Sequence, residues 1–261
     1  SISTNQQGNL YCLSYNHDDP DFWDPLVREC RGIILKITDT EVTVVCWPFE
    51  KFGNSFEPYA AQIDWNSAHA EEKLDGSIIK LYYNDNAWCW ATNRLPHANR
   101  EKANSHQTWL NLIQEAPEYE TILNAEKDPT LTYIFELTSP KNQIVIKYAE
   151  PHLTHLATKS NITGKECETD LGIPKPKRTH VANLNQITTM AQKLNQTRQS
   201  TDEGFVVVDK NYHRIKVKSA RYAEVHYVLA QNKISRKRSA AILVAQDEEA
   251  LQLIHENQRI A

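Results

Sequence analysis

Short runs of β-branched and aromatic residues, separated by turn residues, limit the folds that this chain can adopt. The clearest run, 78–83, is separated by an asparagine-rich turn from a second run at 87–92, and this pattern predicts a β-hairpin. Further runs of this kind lie at 10–15, 28–36, 42–47, 131–137, 143–148, 152–158, 202–209 and 214–219. Because so many short strands follow one another through turns, the sequence predicts an α+β fold of antiparallel sheets with flanking helices.

Apolar residues at helical spacing occupy fewer segments. They recur between 103 and 124, where Pro117 divides the run into two helices, and again between 181 and 196. Two more predicted helices, at 222–231 and 247–257, follow the last strand pair. We therefore expect one domain over residues 1–220 and a short helical C-terminal appendage over residues 221–261.

The overall charge does not point to a nucleic-acid-binding protein, since the formal net charge is −4. Any contact with a polyphosphate must therefore come from a local basic face. The five cysteines are odd in number and include no Cys-x-x-Cys pair, which argues against a disulfide framework and a zinc ribbon. No apolar stretch is long enough for a membrane span. We expect a cytoplasmic protein in a reducing compartment.

The stretch Lys73-Leu74-Asp75-Gly76 carries the strongest chemical signal. A lysine amine is a candidate nucleophile, the glycine permits close approach of the backbone to a nucleotide, and the carboxylate can contact ribose, water or metal. Lysine, aspartate and glycine are also ordinary turn residues. On its own, the stretch leaves both interpretations open.

Other charged residues stand in or beside predicted strands. Arg31 can grip a phosphate through two parallel hydrogen bonds, although a surface salt bridge would also explain it. A carboxylate in an apolar run, such as Glu136, is costly unless a cation or donors meet it or it faces solvent. Lys216 and Lys218 are two residues apart and therefore point to one face of a strand. That face is either solvated or binds an anion between the two ammonium groups.

Taken together, these segments resemble the covalent nucleotidyltransferases, which comprise the polynucleotide ligases and the mRNA capping enzymes. Residues 73–76 resemble their Lys-x-Asp-Gly nucleophile motif, and the later motifs are matched in order by Glu136, Glu203-Gly204 and Lys216-Val217-Lys218. More narrowly, the chain resembles the phage RNA ligase 1 type of ATP-dependent RNA ligase at 29–33, 48–52, 135–140, Lys218-Ser219 and Tyr222. The resemblance covers about residues 15–227.

The resemblance implies an enzyme that uses ATP to join RNA 3′-hydroxyl and 5′-phosphate ends, as in RNA repair. Lys73 would attack the α-phosphate and form a lysyl-AMP intermediate, the AMP would pass to the RNA 5′-phosphate, and the 3′-hydroxyl would then displace it. The implied catalytic residues are Lys73, Lys216, Lys218 and Glu203. The implied ATP-binding residues are Arg31, Lys51, Glu72, Lys73, Asp75, Gly76, Arg94, Glu136, Lys216 and Lys218.

The resemblance also implies a divalent metal, Mg²⁺ with Mn²⁺ as an alternative, held by Glu136 and Glu203 largely through water. Asn93-Arg94 follows Thr92 where the family usually has a lysine or arginine directly after the threonine, and Arg94 is the preferred contact. The expected state is a monomer. The expected partners are ATP, RNA ends and an RNA end-healing kinase or phosphatase.

Two other function classes remain open at this point. A DNA ligase or an mRNA capping enzyme would share the lysine chemistry, but such an enzyme normally needs an appended barrel, for which the segment after Lys218 is short. A noncatalytic RNA-end-binding module is the second alternative. For either RNA function, the basic residues Lys233, Arg236, Lys237 and Arg238 are expected to contact RNA phosphates with little base readout.

Overall fold

The computed structural model describes residues 2–16, 21–100, 107–194, 202–220 and 222–223. Within these ranges the strands are β1 (Ile2–Gln7), β2 (Leu10–Tyr15), β3 (Arg31–Ile37), β4 (Val42–Cys46), β5 (His69–Glu72), β6 (Ser77–Asn84), β7 (Ala87–Thr92), β8 (Leu131–Thr138), β9 (His152–Ser160), β10 (Glu166–Cys167), β11 (Arg178–His180), β12 (Gly204–Val208) and β13 (Arg214–Lys218). The helices are α1 (Pro25–Glu29), α2 (Trp109–Gln114), α3 (Glu118–Asn124) and α4 (Leu184–Lys193), with a 3₁₀ turn at Pro140–Asn142.

These strands form three antiparallel sheets, which confirms the predicted α+β class. The first sheet has the order β1-β2-β3-β4, the second β10-β9-β8-β6-β7, and the third β11-β5-β12-β13. The hairpin β6–β7 turns at Asp85 and Asn86, whose φ angles of 48° and 61° place both residues in the left-handed region that tight hairpin turns require.

The main hydrophobic core lies between the second sheet and the helices α2 and α3. Strand residues such as Ile79 and Phe135 pack with helix residues such as Ile113 and Ile122, and all four are fully buried. Pro117 separates the two helices, as predicted from the sequence. A second core lies beneath the third sheet, where Ile187 of α4 is buried.

One predicted strand is absent from the structure. Residues 143–148 were expected to extend, but this part of the chain is irregular. The backbone N–H groups of Val145 and Ile146 donate to Asp75 Oδ2 at 2.8 and 2.7 Å. Because a side chain takes these two donors, they cannot join a β-ladder, and the prediction was wrong here.

Four short or polar strands were not predicted from the sequence. Strand β1 consists almost entirely of polar residues, and β5, β10 and β11 have only four, two and three residues. The predicted helices at 222–231 and 247–257, and the basic residues Lys233, Arg236, Lys237 and Arg238, lie outside the described ranges. The proposed domain boundary at residue 220 therefore stays a prediction. Within the described ranges, no helix combines the length and the hydropathy needed to cross a bilayer.

Candidate active site

A cavity of about 880 Å³ lies where the three sheets meet. Its volume falls within the range typical of small-molecule sites. Many of the predicted site residues line it, namely Arg31, Glu72, Lys73, Gly76, Arg94, Glu136, Lys216 and Lys218. The structure thus brings together, around one space, residues that are far apart in the chain.

The predicted nucleophile Lys73 is held by a buried carboxylate. Its Nζ donates to Glu203 Oε2 at 2.7 Å, and Lys218 Nζ lies 3.3 Å from Glu203 Oε1. Glu203 is only 3 % exposed, and both of its oxygens face ammonium groups. Lys73 therefore balances a buried charge, so its removal will also affect stability.

Sheet pairing explains why these groups meet. Lys73 follows β5 directly, and its backbone N–H donates to the carbonyl of Gly204, the first residue of β12, at 3.0 Å. Gly204 in turn pairs with Lys218 of β13. It has a φ of +135°, and a Cβ at this position would lie 2.8 Å from Lys218 Cα. Only glycine fits where β12 approaches β13 this closely. Gly204 therefore allows the preceding residue, Glu203, to lie beside both Lys73 and Lys218.

Gly76 lines the cavity and also packs against β8. The close approach of a nucleotide to its backbone stays a prediction. A Cβ on Gly76 would lie 2.9 Å from the carbonyl carbon of Leu137. The Gly76 N–H also donates to Glu136 Oε1 at 3.0 Å. The glycine therefore fixes the Lys73 loop to the strand that carries Glu136.

The structure does not bring the carboxylate of Asp75 to the cavity. The side chain is buried, and its Oδ1 accepts a hydrogen bond from the Tyr222 hydroxyl at 2.6 Å. Its Oδ2 accepts the backbone N–H groups of Val145 and Ile146. In this structure Asp75 therefore anchors the loop from behind, and its contact with ATP stays a prediction.

A group of cations, which we call the cation cluster, consists of Arg31, Lys51 and Lys216. Burial, together with the nearby charge of Lys51, lowers the pKa of Lys216 to about 6. Burial also lowers the pKa of Lys51. Lys51 lies next to the cavity without lining it, and within the described residues neither Lys51 nor Lys216 forms an ion pair with a carboxylate.

Phe52 was not identified as a site residue from the sequence. The Cζ atom of Arg31 lies 5.4 Å and the Nζ atom of Lys216 lies 5.5 Å from the centre of its ring. Cations within about 6 Å of a ring centre are attracted to its face. The Phe52 ring is therefore a shared contact of the two side chains. The signal available in the sequence was its position directly after Lys51.

Arg214 is a second residue that the sequence did not single out. It lines the cavity, its guanidinium lies 4.5 Å from the ring of Phe49, and its Nη2 donates to Glu166 Oε2 at 2.7 Å. Its place at the start of β13, in register with Lys216 and Lys218, was the available signal.

Asn93 and Arg94 both line the cavity. The carbonyl of Asn93 accepts a hydrogen bond from Ser14 Oγ at 2.7 Å, and its side-chain Oδ1 is buried without a hydrogen-bond partner in the described structure. Arg94 is exposed. The preference for Arg94 over Asn93 stays a prediction.

The two predicted metal ligands are the carboxylates of Glu136 and Glu203. Burial raises the pKa of Glu136 to about 7, while the charge of Lys73 opposes this shift. The described residues hold no group of three or more His, Cys, Asp or Glu side chains that could coordinate a metal. Two carboxylates fit an ion such as Mg²⁺, which keeps several waters and binds phosphate oxygens, rather than an all-protein cage.

Comparison with known proteins shows which family the sequence matches. A sequence profile of RNA ligases matches residues 29–222. One similar protein is a "putative bifunctional polynucleotide kinase/RNA ligase" of Autographa californica nuclear polyhedrosis virus, which is 30 % identical over 86 % of this chain and 34 % of the relative. Another is an RNA ligase of Rhodothermus phage RM378, which is 23 % identical over 87 % of this chain and 66 % of the relative. This chain therefore spans about a third of the viral relative and about two thirds of the phage relative.

Solved structures with a similar fold include an archaeal ATP-dependent RNA ligase, with a TM-score of 0.58 and 13 % identity over 98 % of this chain and 72 % of that one. They also include a structure titled as a putative ATP-dependent DNA ligase from Aquifex aeolicus, with a TM-score of 0.50 and 11 % identity over 98 % of this chain and 69 % of that one. These likenesses show the nucleotidyltransferase fold that such ligases share. Since the matching profile covers most of the chain, the chain belongs to the RNA ligase family.

Proposed function

We propose that this chain is an ATP-dependent RNA ligase that joins a 3′-hydroxyl to a 5′-phosphate through a lysyl-AMP intermediate. The observation that carries the proposal is the position of Lys73. It lines a cavity of nucleotide size, next to Lys216 and Lys218 and opposite a buried Glu203. Membership of the RNA ligase family supports RNA rather than DNA as the joined strand.

In the proposed first step, Lys73 Nζ forms a bond to the α-phosphorus of ATP. The bond from that phosphorus to the bridging oxygen breaks, and pyrophosphate leaves with its electron pair. The attacking amine must first lose a proton. Glu203 Oε2 lies 2.7 Å from this nitrogen and can accept it, while Lys218 holds the other carboxylate oxygen in place.

The cation cluster is suited to bind the phosphates. Within the described residues, Lys51 and Lys216 form no ion pair with a carboxylate, and the pKa of Lys216 is lowered to about 6. An arriving anion would therefore stabilise the cation cluster. A polyphosphate would meet Arg31 and Lys216 on the cavity wall, with Lys51 close behind. In the transition state, Lys216 and Lys218 would stabilise the charge that develops on the α-phosphoryl oxygens.

Glu136 and Glu203 are the residues that would hold Mg²⁺ or Mn²⁺. A bound divalent ion would supply positive charge for the phosphate oxygens of the nucleotide. In this proposal, the ionised form of Glu136 is the one that serves the metal. Burial raises the pKa of Glu136 to about 7. A nearby cation would lower this pKa and so increase the ionised fraction of Glu136 at neutral pH.

The later steps use the same site. The 5′-phosphate of RNA would displace Lys73 from the AMP and form an adenylylated end, and a 3′-hydroxyl would then displace AMP and form the phosphodiester. An end-healing kinase or phosphatase is a proposed partner, because one relative is named as a bifunctional polynucleotide kinase/RNA ligase. The free state of all five cysteines supports a proposed reducing compartment, such as the cytoplasm.

The decisive experiment uses ATP labelled separately on the α- and γ-phosphates. We expect the α-label, and not the γ-label, to stay on the denatured protein, and ATP to be preferred over GTP. The protein should then join single-stranded RNA ends and discriminate against DNA ends. Retention of the γ-label, or no covalent label with any nucleotide, would contradict the proposal.

The matched variants are Lys73→Ala and Lys210→Ala. Lys210 is exposed and lies in the turn between β12 and β13, at the opposite end of this hairpin from Glu203. We expect Lys73→Ala to remove the label and Lys210→Ala to leave it unchanged. Because Lys73 also balances the charge of Glu203, circular dichroism should confirm that the Lys73→Ala protein is folded.

A further inference from the structure

A fully buried lysine, Lys80, lies between the first and second sheets. It is in β6, two residues before Tyr82, so both side chains point to the same face of the second sheet. On that face, Tyr82 packs in a cluster with Cys12 and Ile34 of the first sheet. An amine in such an apolar layer costs free energy unless it makes a polar contact. Within the described residues, no carboxylate forms an ion pair with Lys80, so the contact that explains it lies elsewhere.

That contact is the backbone carbonyl of Gly32. Lys80 Nζ donates to this oxygen, which joins β6 of the second sheet to β3 of the first. Gly32 is the extra residue of a β-bulge. The adjacent residues Leu13 and Ser14 of β2 pair with residues 33 and 31 of β3, so Gly32 has no opposite residue in β2. The extra residue of a bulge is left unpaired in the ladder, and here Lys80 supplies a donor to it.

Asn93 also confines the bulge. Gly32 has a φ of +93°, and a Cβ at this position would lie 2.7 Å from Lys80 Nζ and 2.7 Å from Asn93 Cα. The carbonyl of Asn93 is itself bonded to the first sheet, because it accepts a hydrogen bond from Ser14 Oγ at 2.7 Å. Gly32 is therefore in close contact with both Lys80 and Asn93, which leaves the bulge little room to shift.

The bulge determines where the side chain of Arg31 lies. Bulges bend a strand and re-aim the side chains beside them. Arg31 directly precedes Gly32 and lines the cavity, where its Cζ atom lies 5.4 Å from the centre of the Phe52 ring. Lys80 does not line the cavity in the described part of the chain. Any effect of Lys80 on a ligand must therefore pass through a residue such as Arg31.

We propose that Lys80 is a positioning residue for nucleotide binding, which holds the Gly32 bulge and so aims Arg31 at the outer phosphates of ATP. This inference rests on the proposed function, in which those phosphates leave as pyrophosphate. AMP has no outer phosphates. Loss of the Lys80 amine therefore weakens the binding of a nucleoside triphosphate and spares the binding of AMP.

The test measures binding of an α,β-methylene analogue of ATP, and of AMP, by calorimetry with Mg²⁺ present. Lys80→Met fills most of the same space but cannot donate a hydrogen bond. We expect it to weaken binding of the analogue about tenfold, the low end of the effect of a lost hydrogen bond to a charged group. Binding of AMP should be unchanged. A general loss of structure would weaken the binding of both ligands.

A double-mutant cycle shows whether Lys80 acts through Arg31. Adding Lys80→Met to Arg31→Ala should cause no further loss of affinity for the analogue, because no guanidinium remains to be positioned. Lys80→Gln retains an N–H donor on a shorter side chain and should lose less affinity than Lys80→Met. If circular dichroism shows that Lys80→Met does not fold, the same cycle with Lys80→Gln decides the question.

Tyr133→Phe is the matched control. Tyr133 is also buried in the second sheet, and its hydroxyl accepts the Asp128 N–H at 2.8 Å, but it does not line the cavity. Like Lys80→Met, this variant loses a buried hydrogen bond. It should therefore be less stable in urea and still bind both ligands as the unmodified protein does.

Four results would overturn the inference. They are no binding of the analogue by the unmodified protein, unchanged affinity for the analogue in the Lys80 variants, equal losses for the analogue and AMP, and losses that add in the double variant. Failure of the proposed function would look different. In that case α-labelled ATP would leave no lysyl-AMP on the unmodified protein, while binding of the analogue that depends on Lys80 and Arg31 would remain.

Discussion

The Tyr222 hydroxyl donates a 2.6 Å hydrogen bond to the buried Oδ1 of Asp75, 147 residues away in the chain. Asp75 lies two residues after the nucleophile, and its other oxygen holds the irregular segment at Val145 and Ile146. The Tyr222 ring also lies 5.1 Å from Lys218 Nζ. One buried carboxylate thus ties together the Lys73 loop, the segment that follows β8 and the chain that follows β13.

We predict that Tyr222→Phe destabilises the protein and slows adenylylation. A hydrogen bond to a charged group contributes about 1.5–3 kcal/mol, and Asp75 remains buried without it. Urea unfolding should show this loss, and a time course with α-labelled ATP should show slower lysyl-AMP formation. Tyr83→Phe is the control, since the Tyr83 hydroxyl makes no hydrogen bond within the described residues. Equal stability of the two variants would contradict the prediction.

We predict that Gly76→Ala lowers stability by about 1–3 kcal/mol, the usual cost of overpacking a tight contact. The added methyl group would lie 2.9 Å from the carbonyl carbon of Leu137, in the strand that carries Glu136. Since the clash moves the Lys73 loop away from β8, lysyl-AMP formation should fall as well. Thermal unfolding and the labelling assay measure the two effects. An alanine variant with normal stability and normal labelling would show that the loop does not depend on this contact.

The residues selected from the sequence mostly line one cavity, but the sequence did not predict the contacts that hold Asp75. Lys73 was singled out by the Lys-Leu-Asp-Gly pattern, Glu136 by its apolar run, and the pair Lys216 and Lys218 by its place on one strand face. The role of Asp75 as an anchor depends on Tyr222, and that contact spans most of the chain, so no local pattern could reveal it.

The strands show the same limit. Those with β-branched runs, such as β3 and β8, were predicted close to their observed positions. In contrast, β5 and β11 have few apolar residues. They form strands because β11 pairs with β5, and β5 also pairs with β12, in the third sheet. At 143–148 the apolar run is real, but the contacts with Asp75 override its β-propensity.

We predict that Glu136→Gln stabilises the metal-free protein at pH 8 while impairing adenylylation. Burial raises the pKa of Glu136 from 4.5 to about 7, so its titration favours folding fully below about pH 4.5, and this contribution is lost as the pH rises to about 7. A glutamine avoids that loss and can still accept the Gly76 N–H. We expect a gain of about 1–3 kcal/mol at pH 8 and little gain at pH 4.5, from urea unfolding at both values. A gain that does not depend on pH would contradict this explanation.

We predict that nucleotide binding takes up a proton at Lys216. In the free protein, burial and the charge of Lys51 lower the pKa of this ammonium to about 6, so Lys216 is mostly neutral at pH 7.5. A polyphosphate raises that pKa, and binding should take up to about one proton from solution. Calorimetry with an α,β-methylene analogue of ATP, in buffers of different ionisation enthalpy, measures this number. Lys216→Met should abolish the uptake, whereas Glu136→Gln should leave most of it. Uptake that survives in Lys216→Met would assign the proton to another group.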